Sequence, residues 1–415
     1  MAACFTLIAQ PAHAAPRHVY LTWQGDTSRT ITVNYQTLGA ADSSQVLFDT
    51  KSRNGRPDGY RHSATGSSHQ IEGLPDGRWI HWVEVKNLKP GRTYYFIAGD
   101  VRNGFSPERA FRTIPSGSGK LRFVTGGDMG VSPDVARLLQ QAAKLSPAFG
   151  MVGGDIAYAG DLFTNTWKWD AWLDLWETNM VTPSGLTIPM VLAIGNHEVG
   201  PGAPVSRKNA RFYFQYFAQD NERSYYTRTF GKNLAMFLLD SGHVSPQAGE
   251  QAAWLEAQLA AHRNVPHRMA VYHVPLYPCY RPFEGGDSAR ERKFWLPLFD
   301  KYKLTVAFEN HDHAFKRTQL LRDNKPDPQG TLYLGDGCWG MGAREVSQTL
   351  RWYEAKVARL QHFWCVDVSR RRVEYRAVNK AGEIFDVFPP DAAGAATAEK
   401  VFETLTRPKP KEEVK

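Results

Sequence analysis

The run Ala148-Phe149-Gly150-Met151-Val152-Gly153-Gly154-Asp155-Ile156-Ala157-Tyr158 decides the fold. Its first half has no polar face, and a short apolar run closed by glycines reads as a strand buried on both sides. Its second half then puts an aspartate and a tyrosine on the loop at that strand's C-terminal end. Upstream, Leu121–Thr125 is a similar strand ending in Gly127-Asp128-Met129-Gly130, and Pro133 to Leu145 between the two has helical spacing. Downstream, Trp169, Trp172, Leu173 and Trp176 fall on one face of a helix, read here as a core stripe. The next strand, Pro189–Ile194, ends in Gly195-Asn196-His197-Glu198. Strands at Ala235–Leu239, Arg268–His273 and Leu304–Phe308 follow, with a helix from Pro246 to Ala261, and Gln361–Val368 and Arg372–Val378 return to strict β patterning. Strands alternating with helices predict a helix-covered sheet whose chemistry sits on loops at one edge.

The hundred residues before this region have a different period. Segments at 18–23, 30–37, 44–50, 67–73, 79–88, 93–100 and 108–113 alternate apolar and polar side chains between Gly, Pro, Asn and Asp turns. Seven short strands at that spacing predict an all-β sandwich. Leu88-Lys89-Pro90-Gly91-Arg92-Thr93-Tyr94 has the spacing of a tyrosine corner, and the segment resembles a fibronectin type III domain, a likeness that implies only a fold. The expected organisation is a partial signal peptide at 1–15, the sandwich at 16–115, a flexible joint at Ser116-Gly117-Ser118-Gly119, a catalytic domain at 120–390 and a disordered tail at 391–415. The leader reading rests on an apolar start followed by Ala12-His13-Ala14, and implies a periplasmic or secreted protein.

A chain of 415 residues with 42% hydrophobic and 22% charged residues is globular rather than disordered, and has no apolar run long enough to span a bilayer. The net charge of +8 and pI near 9.2 fit either a basic solvated surface or an anionic partner. No helix-turn-helix, zinc-finger or RNA-recognition signature accompanies the charge, so no nucleic-acid module is expected. Residues 16–115 hold 13 basic and 9 acidic side chains, so half the surplus lies on the sandwich, away from the candidate site. Of the four cysteines, Cys4 falls in the leader. Cys279, Cys338 and Cys365 leave two readings open: one bridge, with Cys279–Cys338 preferred, or three reduced thiols.

Chemistry gathers at the strand ends. Asp128, Asp155 with Tyr158, Asn196 with His197, His273, and His311 with His313 each follow a strand. Singly, a Gly-Asp is a turn and a lone histidine is structural. Together, five strand ends offer two carboxylates, a phenolate, an amide oxygen and three imidazoles, too many donors for one tetrahedral ion and suited to two ions sharing a carboxylate. The Tyr158 phenolate is a hard anion that favours Fe(III) over Zn. Two such cations, about 3.5–4 Å apart, acidify water and clamp an in-line displacement at phosphorus. His243, His262 and His267 fit no such position and are left as surface or structural residues.

This ordered set resembles the metallophosphoesterase superfamily and, through the Asp155-Ile156-Ala157-Tyr158 tyrosine, the purple acid phosphatases, whose plant-type members also carry a leading sandwich. The resemblance implies an α/β, sandwich-type catalytic domain. It implies Fe(III) held by Asp128, Tyr158 and His313, Asp155 as the bridge, and Zn, Mn or Fe(II) held by Asn196, His273 and His311. His197 would face the phosphate as the catalytic residue. The expected reaction is hydrolysis of phosphate monoesters, small or polymeric, by a metal-bound hydroxide attacking phosphorus directly. A phosphodiesterase or nucleotidase on the same site is the near alternative; a non-catalytic adhesion protein using the sandwich is the distant one. Oligomeric state is left open.

Three departures from the family pattern stand out. Asn310 replaces the usual glycine before His311, a substitution the loop is expected to tolerate because asparagine accepts unusual backbone angles. The loop Pro275–Arg281 lacks the further histidines of plant-type members, leaving Tyr280 and Arg281 as candidate phosphate contacts. Phe315-Lys316-Arg317 replaces Tyr-Glu-Arg, with Lys316 read as a surface lysine.

Overall fold

The computed structural model describes residues 15–202, 205–219, 223–335, 337–347 and 349–407. The leader reading, apart from residue 15, lies outside these residues, as does the end of the chain after Arg407.

Residues 17–112 form two packed antiparallel sheets. One orders the strands Arg17–Thr22, Ile31–Thr37, Trp79–Val85 and Ser67–His69; the other is built on Gln45–Asp49 and Thr93–Asp100. The expected strands are all present, with two extra short ones, His62–Thr65 and Gly104–Phe105. The tyrosine corner forms: the Lys89 N–H donates to Tyr94 Oη at 2.9 Å.

The first sheet is not the half-solvated sheet that its alternation suggests. Thr22, Thr32, Asn34 and Gln36 are as buried as Val33 and Tyr35, because the α/β region that follows covers the polar face. Buried polar groups need partners, and these have them. Tyr20 Oη donates to the Tyr216 carbonyl, the Ala218 N–H donates to Asn34 Oδ1, and Arg78 reaches Gln36, Tyr216 and Asp170. The joint at 116–119 is likewise pinned rather than loose, accepting hydrogen bonds from the Lys232 N–H at Gly117 and from the Asn233 amide at Gly119.

Residues 121–388 hold two sheets face to face. Six strands run in the order Met190–Ala193, Phe149–Gly153, Leu121–Gly126, His362–Val368, Val373–Asn379 and Ile384–Phe388. Seven run Tyr226–Phe230, Leu234–Leu238, His267–Val271, Val306–Phe308, Leu332–Gly335, Phe315–Thr318 and Glu354–Ala358. Phe123, Phe149 and Met151 from the first pack with Met236, Val271 and Phe308 from the second in one apolar core. The helices Pro133–Lys144 and Thr166–Asn179, the latter with its tryptophans buried, cover the outer face of the first sheet. Glu250–Ala261, Gly286–Phe294 and Leu296–Lys301 cover the second. The helix expected from Pro246 starts at Glu250. The strands Tyr226–Phe230, Phe315–Thr318, Leu332–Gly335, Glu354–Ala358 and Ile384–Phe388, and both helices between Gly286 and Lys301, had too little periodicity to be read in advance.

Two expectations are corrected. Residues 395–406 of the supposed disordered tail form a helix, Ala395–Thr406. Its Phe402 ring packs against Phe315 and Phe385, and Ala398 is buried against Val387. The alanine-rich composition that suggested disorder is also good helix-forming composition once an apolar surface is available. The Cys279–Cys338 bridge is not made: Cys338 and Cys365 are buried thiols, and Cys279 is buried too.

Candidate metal centre

Every predicted donor comes off the C-terminal end of a strand, but from both sheets. Asp128, Asp155 and Asn196 follow three neighbouring strands of the first sheet, and His273, His311 and His313 follow two neighbouring strands of the second. Stacking the sheets brings the two sets together.

The donors converge in two groups. Tyr158 Oη lies 3.0 Å from Asp128 Oδ1 and 2.9 Å from His313 Nε2, and the last two atoms are 2.9 Å apart. In the other group His273 Nε2 lies 3.1 Å from Asn196 Oδ1, 3.0 Å from His311 Nδ1 and 3.3 Å from Asp155 Oδ2. Asp155 belongs to both: with Asp128 and His313 in one, with His273 and His311 in the other, ligand atoms all lie within 4.8 Å of one another. Donor atoms about 3 Å apart are edges of a coordination sphere with bonds of about 2.0–2.2 Å. The donors are carboxylate, phenol, amide and imidazole with no thiolate, which suits hard or borderline cations.

The electrostatics ask for the same cations. Burial, then Asp128 and Asp155, push the Tyr158 phenol far above its ordinary range, so it ionises only beside a positive charge. Burial also opposes charge on His273, yet Asp155 and Asp128 prevail and raise it to about 9. Burial and then His273 push His311 well down, leaving its lone pair available. Asp128 is held below the usual carboxylate range: burial works against its charge, but His273 and His313 outweigh it.

The backbone is strained at the same residues. Asp128, Asp155, Tyr158, His311 and His313 have φ of 55°, 52°, 56°, 75° and 54°, in the left-handed region that non-glycine residues avoid. Surrounding bonds hold them there. The His311 N–H donates to Asp128 Oδ2 at 2.8 Å and the His197 N–H to Asp155 Oδ1 at 2.8 Å. Glu198, fully buried, accepts from the N–H groups of Asp155, Ile156 and Gly195 at 2.7, 2.7 and 2.8 Å. Sequence reading quoted Glu198 within its motif but gave it no role. It also passed over Gly337, where φ is +75° and a Cβ would lie 1.8 Å from Asp128 Oδ2; a Gly-Cys-Trp-Gly run after a strand was the available signal.

His197 stands beside the donors. Its ring lies 4.2 Å from that of Tyr158, its Nε2 is 3.9 Å from Asp155 Oδ2, and its side chain is 45% exposed. Arg281 donates to the His311 carbonyl at 2.8 Å and pairs with Asp312 Oδ1 at 2.6 Å, so its guanidinium braces the histidine loop. Tyr280 is exposed at the rim, with the Arg344 guanidinium 5.0 Å over its ring and the Arg344 N–H bonded to the His313 carbonyl.

Two departures resolve differently from expectation. Asn310 does not absorb the unusual backbone angle; His311 does. Asn310 acts instead through its amide, which donates to the Tyr272 carbonyl at 2.8 Å between the closely approaching Gly127 and Gly153. Lys316 is not a surface lysine: it is fully buried, ion-paired with the equally buried Glu309 and donating to the Tyr277 carbonyl at 2.6 Å. A lysine buried by a neighbouring carboxylate seven residues upstream in the fold's interior is invisible to composition.

Two hard-donor groups sharing one carboxylate, at the strand ends of a two-sheet α/β sandwich, form a candidate centre for two metal ions. The chain belongs to the purple acid phosphatase-like branch of the calcineurin-like phosphoesterases. A model described as the N-terminal domain of purple acid phosphatase matches residues 16–113, and one described as calcineurin-like phosphoesterase matches 121–315. Among curated relatives, a probable purple acid phosphatase 20 of Arabidopsis thaliana is 26% identical over 310 residues, covering 71% of this chain and 68% of its own. Purple acid phosphatase 22 of the same plant is 27% identical over 296 residues, covering 68% and 64%. An uncharacterized protein of Mycobacterium tuberculosis is 28% identical over 284 residues, covering 59% and 51%. The chain thus spans from about half to two thirds of these relatives. Among solved structures, the purple acid phosphatase PPD1 from yellow lupin seeds superposes with a TM-score of 0.76 at 20% identity, over 90% of this chain and 74% of that one. PhoD superposes with a TM-score of 0.67 at 13% identity, over 89% and 87%. Both likenesses concern the fold.

Proposed function

We propose that this protein hydrolyses phosphate monoesters with a dinuclear Fe(III)–M(II) centre. Asp128, Tyr158 and His313 would hold Fe(III), Asn196, His273 and His311 would hold Zn, Mn or Fe(II), and Asp155 would be shared by both. The observation that carries the reading is the membership of Asp155 in both donor groups. When bound, such a pair supplies Lewis acidity, neutralising charge on the phosphoryl oxygens and acidifying water.

The chain's own side chains supply the rest. His197 is fixed through its backbone bond to Asp155 and leans on Tyr158, with its ring open to solvent, where it meets the phosphate ester and donates to the departing oxygen. Tyr280 and Arg344 form the rim that meets the substrate's organic portion, while Arg281 keeps the His311–His313 loop in register. The leader reading supports placement outside the cytoplasm, and no helix among the described residues is long and apolar enough to cross a membrane. Burial of the first sandwich sheet against the catalytic region disfavours an adhesion role for that face.

Metal analysis with a visible spectrum tests the core claim. Iron plus a second metal is expected, with a phenolate-to-iron absorption band that disappears in Tyr158→Phe. A colourless, fully active all-zinc enzyme would remove the iron half. Comparing kcat/KM on a chromogenic monoester and its bis-ester tests the substrate class, and faster turnover of the diester would replace the monoesterase reading with a phosphodiesterase.

A further inference from the structure

We propose that His243, which sequence reading set aside, is a substrate-contacting residue: a second imidazole that binds the phosphate group of the ester beside His197. The proposal rests on the phosphoesterase reading above.

The histidine is delivered by a loop built for it. The loop follows the strand Leu234–Leu238 of the second sheet, next to the strand that carries His273. Buried Asp240 accepts four successive backbone N–H groups, from Gly242 and His243 on Oδ1 and from Val244 and Ser245 on Oδ2, at 2.6 to 2.9 Å. The Ser224 hydroxyl adds a fifth bond to that carboxylate at 2.6 Å. Ser241 Oγ accepts from the Val274 N–H at 2.9 Å, tying the loop to the residue after His273. Gly242 has a φ of +100°, and a Cβ there would lie 2.6 Å from Gln247 Nε2, so the turn that aims the next side chain admits only glycine.

The ring that this loop presents has an unmet need. His243 lies with its centroid 5.6 Å from the His273 ring, tilted by 64°, close enough to act on His311 and to feel the Asp155 charge. Its Nε2 is buried yet has no hydrogen-bond partner among the described residues. A buried ring nitrogen without a partner costs about 1–3 kcal/mol, and native structures rarely leave one without a reason. A structural histidine would be bonded at that atom, as His267 is to the carbonyl of Ser369. The residue as a whole is half-buried.

An anionic phosphoryl oxygen is the complement of an imidazole N–H at this place. His197 stands on the side of the first donor group, against Tyr158. His243 stands on the side of the second, against His273. The segment Pro275–Arg281 offers no histidine, and Arg281 is engaged with Asp312. The structure thus supplies from a different loop the second imidazole that this segment lacks.

The test uses the metal-loaded full chain, wild type, His243→Ala and His243→Gln, with three readouts: elemental analysis, calorimetric titration with inorganic phosphate, and kcat and KM on an aryl phosphate monoester. Loss of one hydrogen bond to an anion predicts phosphate affinity and kcat/KM weakened about ten- to a hundredfold in His243→Ala, with partial recovery in His243→Gln. Both variants should retain both metals and the wild-type Tm, since Asp240 rather than the ring holds the loop; if His243→Ala does not fold, His243→Gln carries the same comparison. Phosphate affinity unchanged within about twofold would overturn the proposal, as would loss of the second metal in either variant, which would make His243 a metal ligand. Wild-type protein that takes up no metal and binds no phosphate would overturn the phosphoesterase reading itself, and this proposal with it.

Discussion

Glu198 shows how much of the site is held from behind. Burial, then the Asp155 charge, push its carboxyl up to about 8, and only the three N–H donors from Asp155, Ile156 and Gly195 make the position tolerable. Replacing it with alanine strands those donors in a dry interior and releases Asp155 from its left-handed φ. We expect Glu198→Ala to lower stability by about 3–5 kcal/mol and to reduce metal content, measured by urea denaturation and elemental analysis. Glu198→Gln keeps part of the bonding and should lose less of both; equal losses would show that volume rather than bonding matters. Residue identity made Asp128, Asp155, Tyr158, Asn196 and the histidines legible because their side chains are the chemistry. Glu198, Gly337 and the amide role of Asn310 were not legible, because their importance lies in backbone groups and close approaches contributed by distant segments.

At the scale of elements, strands and helices with a strong period were readable and the strand-end loops followed from them. Short edge strands such as Phe315–Thr318 and Glu354–Ala358 lacked a pattern, and the Ala395–Thr406 helix was hidden by a composition that suits a solvated tail equally well. That helix is fastened by Phe402 on Phe315 and Phe385 and by Lys356 bridging Glu399 and Asp386. Phe402 is partly buried, so Phe402→Ala should cost roughly 1–2 kcal/mol from lost apolar contact, seen as a lower urea midpoint. Truncation before Ala395 should cost more and expose Phe385 to hydrophobic dye. A truncated protein with unchanged midpoint would mean that the helix merely rests on the sheet.

The whole molecule carries a pH dependence that belongs to neither site nor element. His81, inside the sandwich between Thr37 and Ser44 and stacked on Tyr35, and His362, inside the catalytic core on the Leu360 carbonyl, are both pushed down to about 4 by burial. Asp100 beside His81, and the Leu360 and Gly335 backbone and then Asp386 beside His362, act against that effect without overcoming it. An unfolded histidine titrates near 6.5, so between pH 6.5 and about 4 the unfolded chain binds more protons and stability falls as pH falls. The contribution is complete above pH 6.5 and its loss is up to about 3 kcal/mol per histidine at pH 4. Thermal melts across this range should show the metal-free protein weakening on acidification, with a shallower slope in His362→Gln. Raised carboxyls such as those of Asp161 and Glu177 act in the opposite sense, so the difference in slope between wild type and variant is the quantity to compare.

Local pattern was enough for the two-part architecture, the succession of buried strands along the chain and the choice of seven candidate donors, because periodicity and side-chain type are properties of short stretches. It could not say that the donors divide between two facing sheets, that the sandwich's polar face is sealed against the catalytic region, or that Lys316 lies in the core on Glu309. Nor could it find His243, whose sequence neighbours contain no sign of chemistry. Its place beside His273 is set by the parallel pairing of Leu234–Leu238 with His267–Val271 and by the bonds that Asp240 makes after the chain has turned. Those are contacts between segments, and they exist once the sheets have paired and packed.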